Sequence, residues 1–318
     1  MHLRLWNLQP MINTIDYNQI FSDIVSDFNE TDDIGAIATY IPELGKVNPL
    51  KLGIHLTSID DQHFAFGDSN ELFSIQSVAK VLSLTLALKI MGKALWNRVG
   101  VEPSGSAFNS LVQLEYEEGI PRNPFINAGA IVICDILVSC LDNPKQDLLA
   151  FIRESSGIDS INYSIQVAES EKKCGYRNYA LVNLMKDFDN IHNEIDVVLD
   201  LYFYLCSIEM TCKQLTQSFM FLASGGVNPI TNKRVISLTR AKRINSVMLM
   251  CGFYDEAGDF AFKVGLPGKS GVGGGIVAIH PGQFCITVWS PKLNENGNSH
   301  KGMKVLEAFT SRTQCSIF

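Results

Sequence analysis

Ser77 and Lys80 stand three residues apart in Phe73-Ser-Ile-Gln-Ser-Val-Ala-Lys80, at the head of the apolar run Val81 to Met91. On a helix that spacing puts both side chains on one face, a turn apart and within hydrogen-bond reach. A serine hydroxyl is too weak an acid to attack an amide unaided. A lysine desolvated against Val78, Val81 and Leu82 has its pKa lowered and can take the proton. The positive end of the helix favours the developing alkoxide and oxyanion. The spacing alone says little, because Ser170-Glu-Lys-Lys173 repeats it with no long apolar helix behind it.

What separates the two is Lys269-Ser270-Gly271, downstream of Ser77 and directly before a Gly-rich strand. Ser-x-x-Lys followed by Lys-[Ser/Thr]-Gly resembles the penicillin-recognising serine enzymes, in which the second element borders the cleft. Gly271, Gly273, Gly274 and Gly275 would let a substrate approach backbone N–H groups there. On its own the element also reads as a Gly-rich bulge at a strand start. The Ser-Asp-Asn element of those enzymes is absent between the two motifs, which argues against an ordinary β-lactamase.

Seven ordered blocks point elsewhere: Ala38-Thr-Tyr-Ile-Pro42; Phe73 to Lys80; Val99-Gly-Val-Glu-Pro-Ser-Gly105; Asn123-Pro-Phe-Ile-Asn-Ala-Gly-Ala130; Ser170-Glu171 with Arg177-Asn178; Leu199-Asp-Leu-Tyr202 with Cys206-Ser-Ile-Glu209; and Gly265-Leu-Pro-Gly-Lys-Ser-Gly-Val272. In these the chain closely resembles the serine-dependent glutaminases of bacteria and mitochondria, from about residue 20 to Thr310. The resemblance implies hydrolysis of the L-glutamine side-chain amide to glutamate and ammonia through an acyl-enzyme, on a β-lactamase-like fold. By motif position it implies Ser77 as nucleophile, Lys80 as general base, and the backbone N–H groups of Ser77 and Val272 as oxyanion hole. Tyr254, in Gly252-Phe-Tyr-Asp255, and Tyr202 match site tyrosines, the first a proton carrier and the second a substrate contact that can share that task. Tyr40, Asn127, Glu171 and Asn178 match residues that hold the α-amino and α-carboxylate groups. Lys269 is left as strand and turn support.

The chemistry agrees with such a substrate. A zwitterion needs an anion for its ammonium, which Glu171 supplies, and neutral donors for its carboxylate, which Asn127, Asn178 and tyrosine hydroxyls supply. Each residue also has a plainer reading. Glu171, beside Glu169, Lys172 and Lys173, reads as a solvated charge run; Asn127 as a cap on a helix starting near Gly129; Tyr202 and Tyr254 as core aromatics. Rival functions are a β-lactamase, carboxypeptidase or esterase of the same architecture, and a catalytically silent glutamine sensor.

The elements that must position these residues follow from periodicity. Gly53–Thr57 and His63–Gly67 flank Asp60-Asp61, and Gly275–His280 and Gln283–Trp289 flank Pro281-Gly282, which predicts two hairpins. Val305, Leu306 and Phe309 predict a last helix on that sheet. Between them, helical patterns span Val81–Met91, Ala130–Cys140, Gln146–Glu154, Ile195–Cys206 and Lys213–Ala223, the last capped by Gly225-Gly226. Lys186 to Glu194 reads as a surface loop. The expected class is α+β, a single catalytic domain over 1–318. Its antiparallel sheet lobe is built from both chain ends (about 30–75 and 255–318) and flanked by helices, beside an all-helical lobe (about 76–254), with residues 1–19 an N-terminal extension.

Composition narrows the partners. A net charge of -7 with no basic cluster argues against nucleic acid. Eight cysteines without a Cys-x-x-Cys pair read as buried free thiols, and six scattered histidines give no zinc spacing, so neither metal nor cofactor is expected. No apolar run is long enough for a membrane span, and Met1 to Ile20 shows no signal-like core, so a cytoplasmic enzyme is expected. Met11 is an alternative start, with Met1 to Pro10 then an upstream extension. From resemblance, a homodimer or homotetramer is expected.

Overall fold

The computed structural model describes residues 15–28, 33–105 and 110–318; both alternative starts, the stretch Met1 to Pro10 and His2 lie outside the described residues. The main sheet has five antiparallel strands in the order His63–Gly67, Gly53–Ser58, Phe284–Trp289, Gly275–His280, Gly268–Ser270. Both expected hairpins are present, turning at Asp61 and Gly282 with positive φ. They join through Gly53–Ser58 on Phe284–Trp289, so the middle of the sheet pairs the two chain ends.

Alternation decides what covers each face. Ile54, Leu56, Ile276, Ala278, Phe284, Ile286 and Val288 pack with Phe21, Ile24, Val305, Leu306 and Phe309 of the helices Tyr17–Ser26 and His300–Thr313. Val277, Ile279, Cys285 and Trp289 face the other way, into the core of the helical lobe. Among the described residues, the first helix begins at Tyr17, within the stretch expected as an N-terminal extension, and packs on the sheet. Tyr17 sets its ring 5.0 Å from that of Phe64, because a helix that buries Phe21 and Ile24 needs its first turn on the sheet.

In the other lobe the helix Ala79–Met91 is buried on every side from Ala79 to Leu88, which explains a pattern apolar all round rather than on one stripe. Asn127–Cys140, Pro144–Ser156 and Ile195–Cys206 pack on it and Cys212–Ala223 lies on the main sheet, all close to their expected bounds. The helical lobe also carries short strands. Phe73–Ser74, Ile208–Met210 and Asn162–Tyr163 form a small three-stranded sheet, and Val227–Asn228 pairs with Lys233–Arg234.

The stretch Lys186 to Glu194 lies largely at the surface, as expected, but is tied inward at Asn190 to Asn193. Asp135, fully buried in the helix Asn127–Cys140, accepts from the His192 and Asn193 N–H groups and from Arg98 at 2.6 Å. Asn190 donates to Arg98 O and Gly119 O. A charge buried among apolar side chains requires such partners, and the chain bends inward to supply them.

Candidate active site

Ser77 sits in a single 3-10 turn, Gln76–Val78, that runs into the helix Ala79–Met91. The turn is aimed from both sides. Before it, Ser74 Oγ donates to Cys206 O at 3.0 Å and Gln76 Nε2 to Ser74 Oγ at 3.1 Å. Beside it runs the chain Gly271 to Gly273, so close that a Cβ on Gly273 would lie 2.1 Å from Ser74 O and one on Gly271 2.5 Å from Ile75 O. The Lys-Ser-Gly glycines are therefore needed for the approach of two backbones. Lys269 and Ser270 lie within their strand, and Gly271 to Gly274 form the turn into the next.

A cavity of about 260 Å³ opens over Ser77 and is lined by Tyr40, Asn127, Glu171, Asn178, Tyr202 and Val272, among others. These residues come from six separate parts of the chain, and every sequence-predicted side chain except Lys80 and Tyr254 lines it. Tyr40 crosses the mouth with 57% of its surface exposed. Its segment is held by pairing of Ala36 with Leu293. Glu171 is only 8% exposed although Glu169, Lys172 and Lys173 face water. The helix Ile165–Cys174 turns that one member of the charge run inward. Asn127 is no cap: it lies inside the first turn of its helix, accepts from Lys80 Nζ at 2.8 Å and donates to Asn178 Oδ1 at 3.0 Å.

Lys80 and Tyr254 lie beneath this lining. Lys80, 1% exposed, donates to Phe125 O at 3.2 Å as well as to Asn127. Burial pushes its pKa down to about 8, against the upward pull of Cys206 and Glu171. The phenol of Tyr254 donates to Ser270 O at 3.4 Å. Burial raises that phenol to about 12, and the Ser77 hydroxyl works the other way. The spacing of Ser77 and Lys80 suggested a direct bond between them; the hydrogen bonds among the described residues instead give the Lys80 amine to Asn127 and Phe125. Partners 47 and 45 residues away leave no local signal.

Burial also lifts the Glu171 carboxyl to about 7, opposed by a hydrogen bond from Gln76 and the charge of Lys80. Desolvation raises the phenols of Tyr40 and Tyr202, the latter bonded to the Cys206 thiol. Gln76 and Tyr254 both hold positive φ, 50° and 54°, one on each side of Ser77. Strained backbone of this kind persists where the surroundings enforce it, and gathers at active sites. The bonds that close the Ser77 turn, Val78 N–H to Ile75 O and Ala79 N–H to Gln76 O, do not use the Ser77 N–H.

Sequence reasoning missed Gln76 and Cys206. Both lie within the blocks quoted for the resemblance, but their types suggested no role. A larger cavity, about 870 Å³, lies at the far end of the sheet between Leu222, Leu238, Asn245 and Pro267. Among the described residues lining it the one charged side chain is Lys242, and no described hydrogen bond joins its amine to a lining hydroxyl, so the smaller cavity is the better candidate for chemistry.

A family model described as Glutaminase matches residues 35–318. A glutaminase of Saccharophagus degradans is 69% identical over 307 residues, covering 96% of this chain and 100% of its own length. Among solved structures, a probable glutaminase, ybaS, superposes with a TM-score of 0.89 at 32% identity, over 95% of this chain and 97% of that one. Mglu in its glutamate form gives 0.87 at 30% identity, over 95% and 69%.

Proposed function

We propose, from the premise that this chain belongs to the glutaminase family, that it hydrolyses free L-glutamine through an acyl-enzyme on Ser77. Membership makes it a hydrolase acting on amides, on an α+β fold of the β-lactamase-like kind. The observation that carries the mechanism is Ser77 opening into a cavity walled by Glu171 and two asparagines, one of which accepts from the buried Lys80 amine at 2.8 Å.

The Ser77 oxygen attacks the side-chain carbonyl carbon, and its proton passes through the Tyr254 phenol to the neutral amine of Lys80. The N–H groups of Ser77 and Val272 stabilise the oxyanion. Lys80 returns the proton to the departing nitrogen, and ammonia leaves a γ-glutamyl ester on Ser77. Water then attacks the ester, Lys80 takes its proton, and the Ser77 oxygen recovers a proton as glutamate departs. The sum is glutamine plus water to glutamate plus ammonia. Glu171 pairs with the substrate ammonium, while Asn178, whose Oδ1 is taken by Asn127, turns its Nδ2 to the carboxylate with Tyr40 and Asn127. Tyr202 contacts the substrate and shares the proton. The cavity suits one free amino acid, and Mglu was solved in a glutamate form.

The same reading makes the enzyme cytoplasmic, on the strength of eight free thiols, and a homodimer or homotetramer. For the oligomer we point to Val112, Tyr116 and Tyr176, apolar side chains 76%, 91% and 82% exposed. Ammonia release from L-glutamine, L-asparagine and a chromogenic β-lactam, with Ser77→Ala as control, tests the function. Release from glutamine alone, abolished by Ser77→Ala, is expected. Release that survives the substitution refutes the mechanism, turnover of the β-lactam alone favours the rival hydrolases, and binding without turnover favours a sensor.

A further inference from the structure

The reaction described above leaves Lys269 unused. It lies in the strand Gly268–Ser270, paired with Val277, and is 0% exposed. The titratable groups that act on it are Lys80, Cys251 and Cys206, none of them a carboxylate. Burial first, and the like charge of Lys80 second, hold its pKa well below that of an ordinary lysine.

An apolar side chain would fill this volume without the cost of desolvating an amine. What the amine adds is N–H bonds diverging from a single nitrogen. It donates to the Ser270 carbonyl and stands 4.5 Å from the centre of the Tyr254 ring. The Tyr254 hydroxyl donates to that same carbonyl at 3.4 Å. Ser270 N–H in turn donates to Gly252 O at 3.1 Å, two residues before Tyr254, whose backbone is held at φ 54°.

We infer that Lys269 is a positioning residue for amide hydrolysis: its amine clamps the ring of Tyr254 to the Ser270 peptide, fixing the phenol oxygen in the place where it serves Ser77. The inference rests on the role given above to Tyr254. Lys269 does not line the substrate cavity, so the clamp acts on the reacting geometry and not on glutamine binding.

Steady-state kinetics on L-glutamine with the parent enzyme, Lys269→Met, Tyr254→Phe and the double variant form a closed cycle. Lys269→Met keeps the stem and loses the N–H bonds. It is expected to lower kcat by roughly 10–100-fold with KM changed less than about twofold, since small misplacements of reacting groups act on turnover. In the Tyr254→Phe background its effect should nearly vanish. A kcat within about twofold of the parent, or a loss equally large with and without the Tyr254 hydroxyl, overturns the inference. Lys269→Gln, which keeps an NH₂ donor on a shorter stem, should retain more kcat than Lys269→Met at comparable Tm; the reverse order also overturns it. Full activity in Tyr254→Phe is a different result, because it removes the proton route on which the inference rests.

Discussion

The amine of Lys80 donates to Asn127 Oδ1 at 2.8 Å, and what it meets there is a neutral amide and not a carboxylate. That choice lets burial hold the amine near 8, where it can act as a base. Asn127→Asp puts an anion at the same place and is expected to raise the pKa of Lys80, so that less of it is neutral at pH 7. The acid limb of kcat should move upward by about one pH unit or more, with roughly tenfold lower turnover near neutrality. A pH–rate profile of both enzymes decides it.

In the parent enzyme two ionisations shape the acid side. Glu171, raised to about 7, must lose its proton to pair with the substrate ammonium, and Lys80, lowered to about 8, must lose its proton to act. Both require rising pH, so kcat/KM should climb between about pH 6 and about pH 9, as two overlapping macroscopic steps.

Glu171 also sets binding against stability. Its folded pKa lies above its ordinary value of 4.5, so the stability it contributes is fully present below that value and is lost as pH rises through about 7. Glu171→Gln removes the buried charge. It is expected to raise Tm by a few degrees at pH 8, to change it little at pH 4, and to raise KM for glutamine by roughly 10–100-fold. Melting curves at the two pH values and saturation kinetics measure these separately.

Arg98 and Asp135 hold the segment Asn190 to Asn193. Burial opposes the Asp135 charge, but Arg98 and the donors of Asn193 and His192 outweigh it and keep the carboxyl below its ordinary range. Its contribution is therefore present above the unfolded pKa and lost as pH falls through the folded one. Arg98→Met leaves that carboxylate short of its cation and is expected to cost about 3–5 kcal/mol in urea unfolding. Lys46→Ala, which removes an exposed pair with Glu43, should cost under about 1 kcal/mol.

Much of this was legible in the residues. Ile195–Cys206 and both hairpins fall where apolar periodicity and turn residues put them, because those elements bury apolar faces. The helices Ile165–Cys174 and Tyr176–Asp187 escaped, for a physical reason: Glu171 and Asn178, polar residues aimed at the cavity, stand among their buried positions. A helix that lines a polar site blurs its own amphipathic signature. Spacing could place Ser77 and Lys80 on one turn but could not reveal that Asn127 would partner the Lys80 amine, since tertiary approach alone decides that.

Because Gly53–Ser58 pairs with Phe284–Trp289, the sheet cannot close during synthesis until most of the chain has left the ribosome. The first hairpin must wait as an open edge, vulnerable to wrong pairing, while the helical lobe is being made. The turn carrying Ser77 emerges early, whereas Val272 on the opposite wall of its cavity emerges late. A nascent chain thus holds its nucleophile idle, and catalytic competence arrives only with the closing steps of folding.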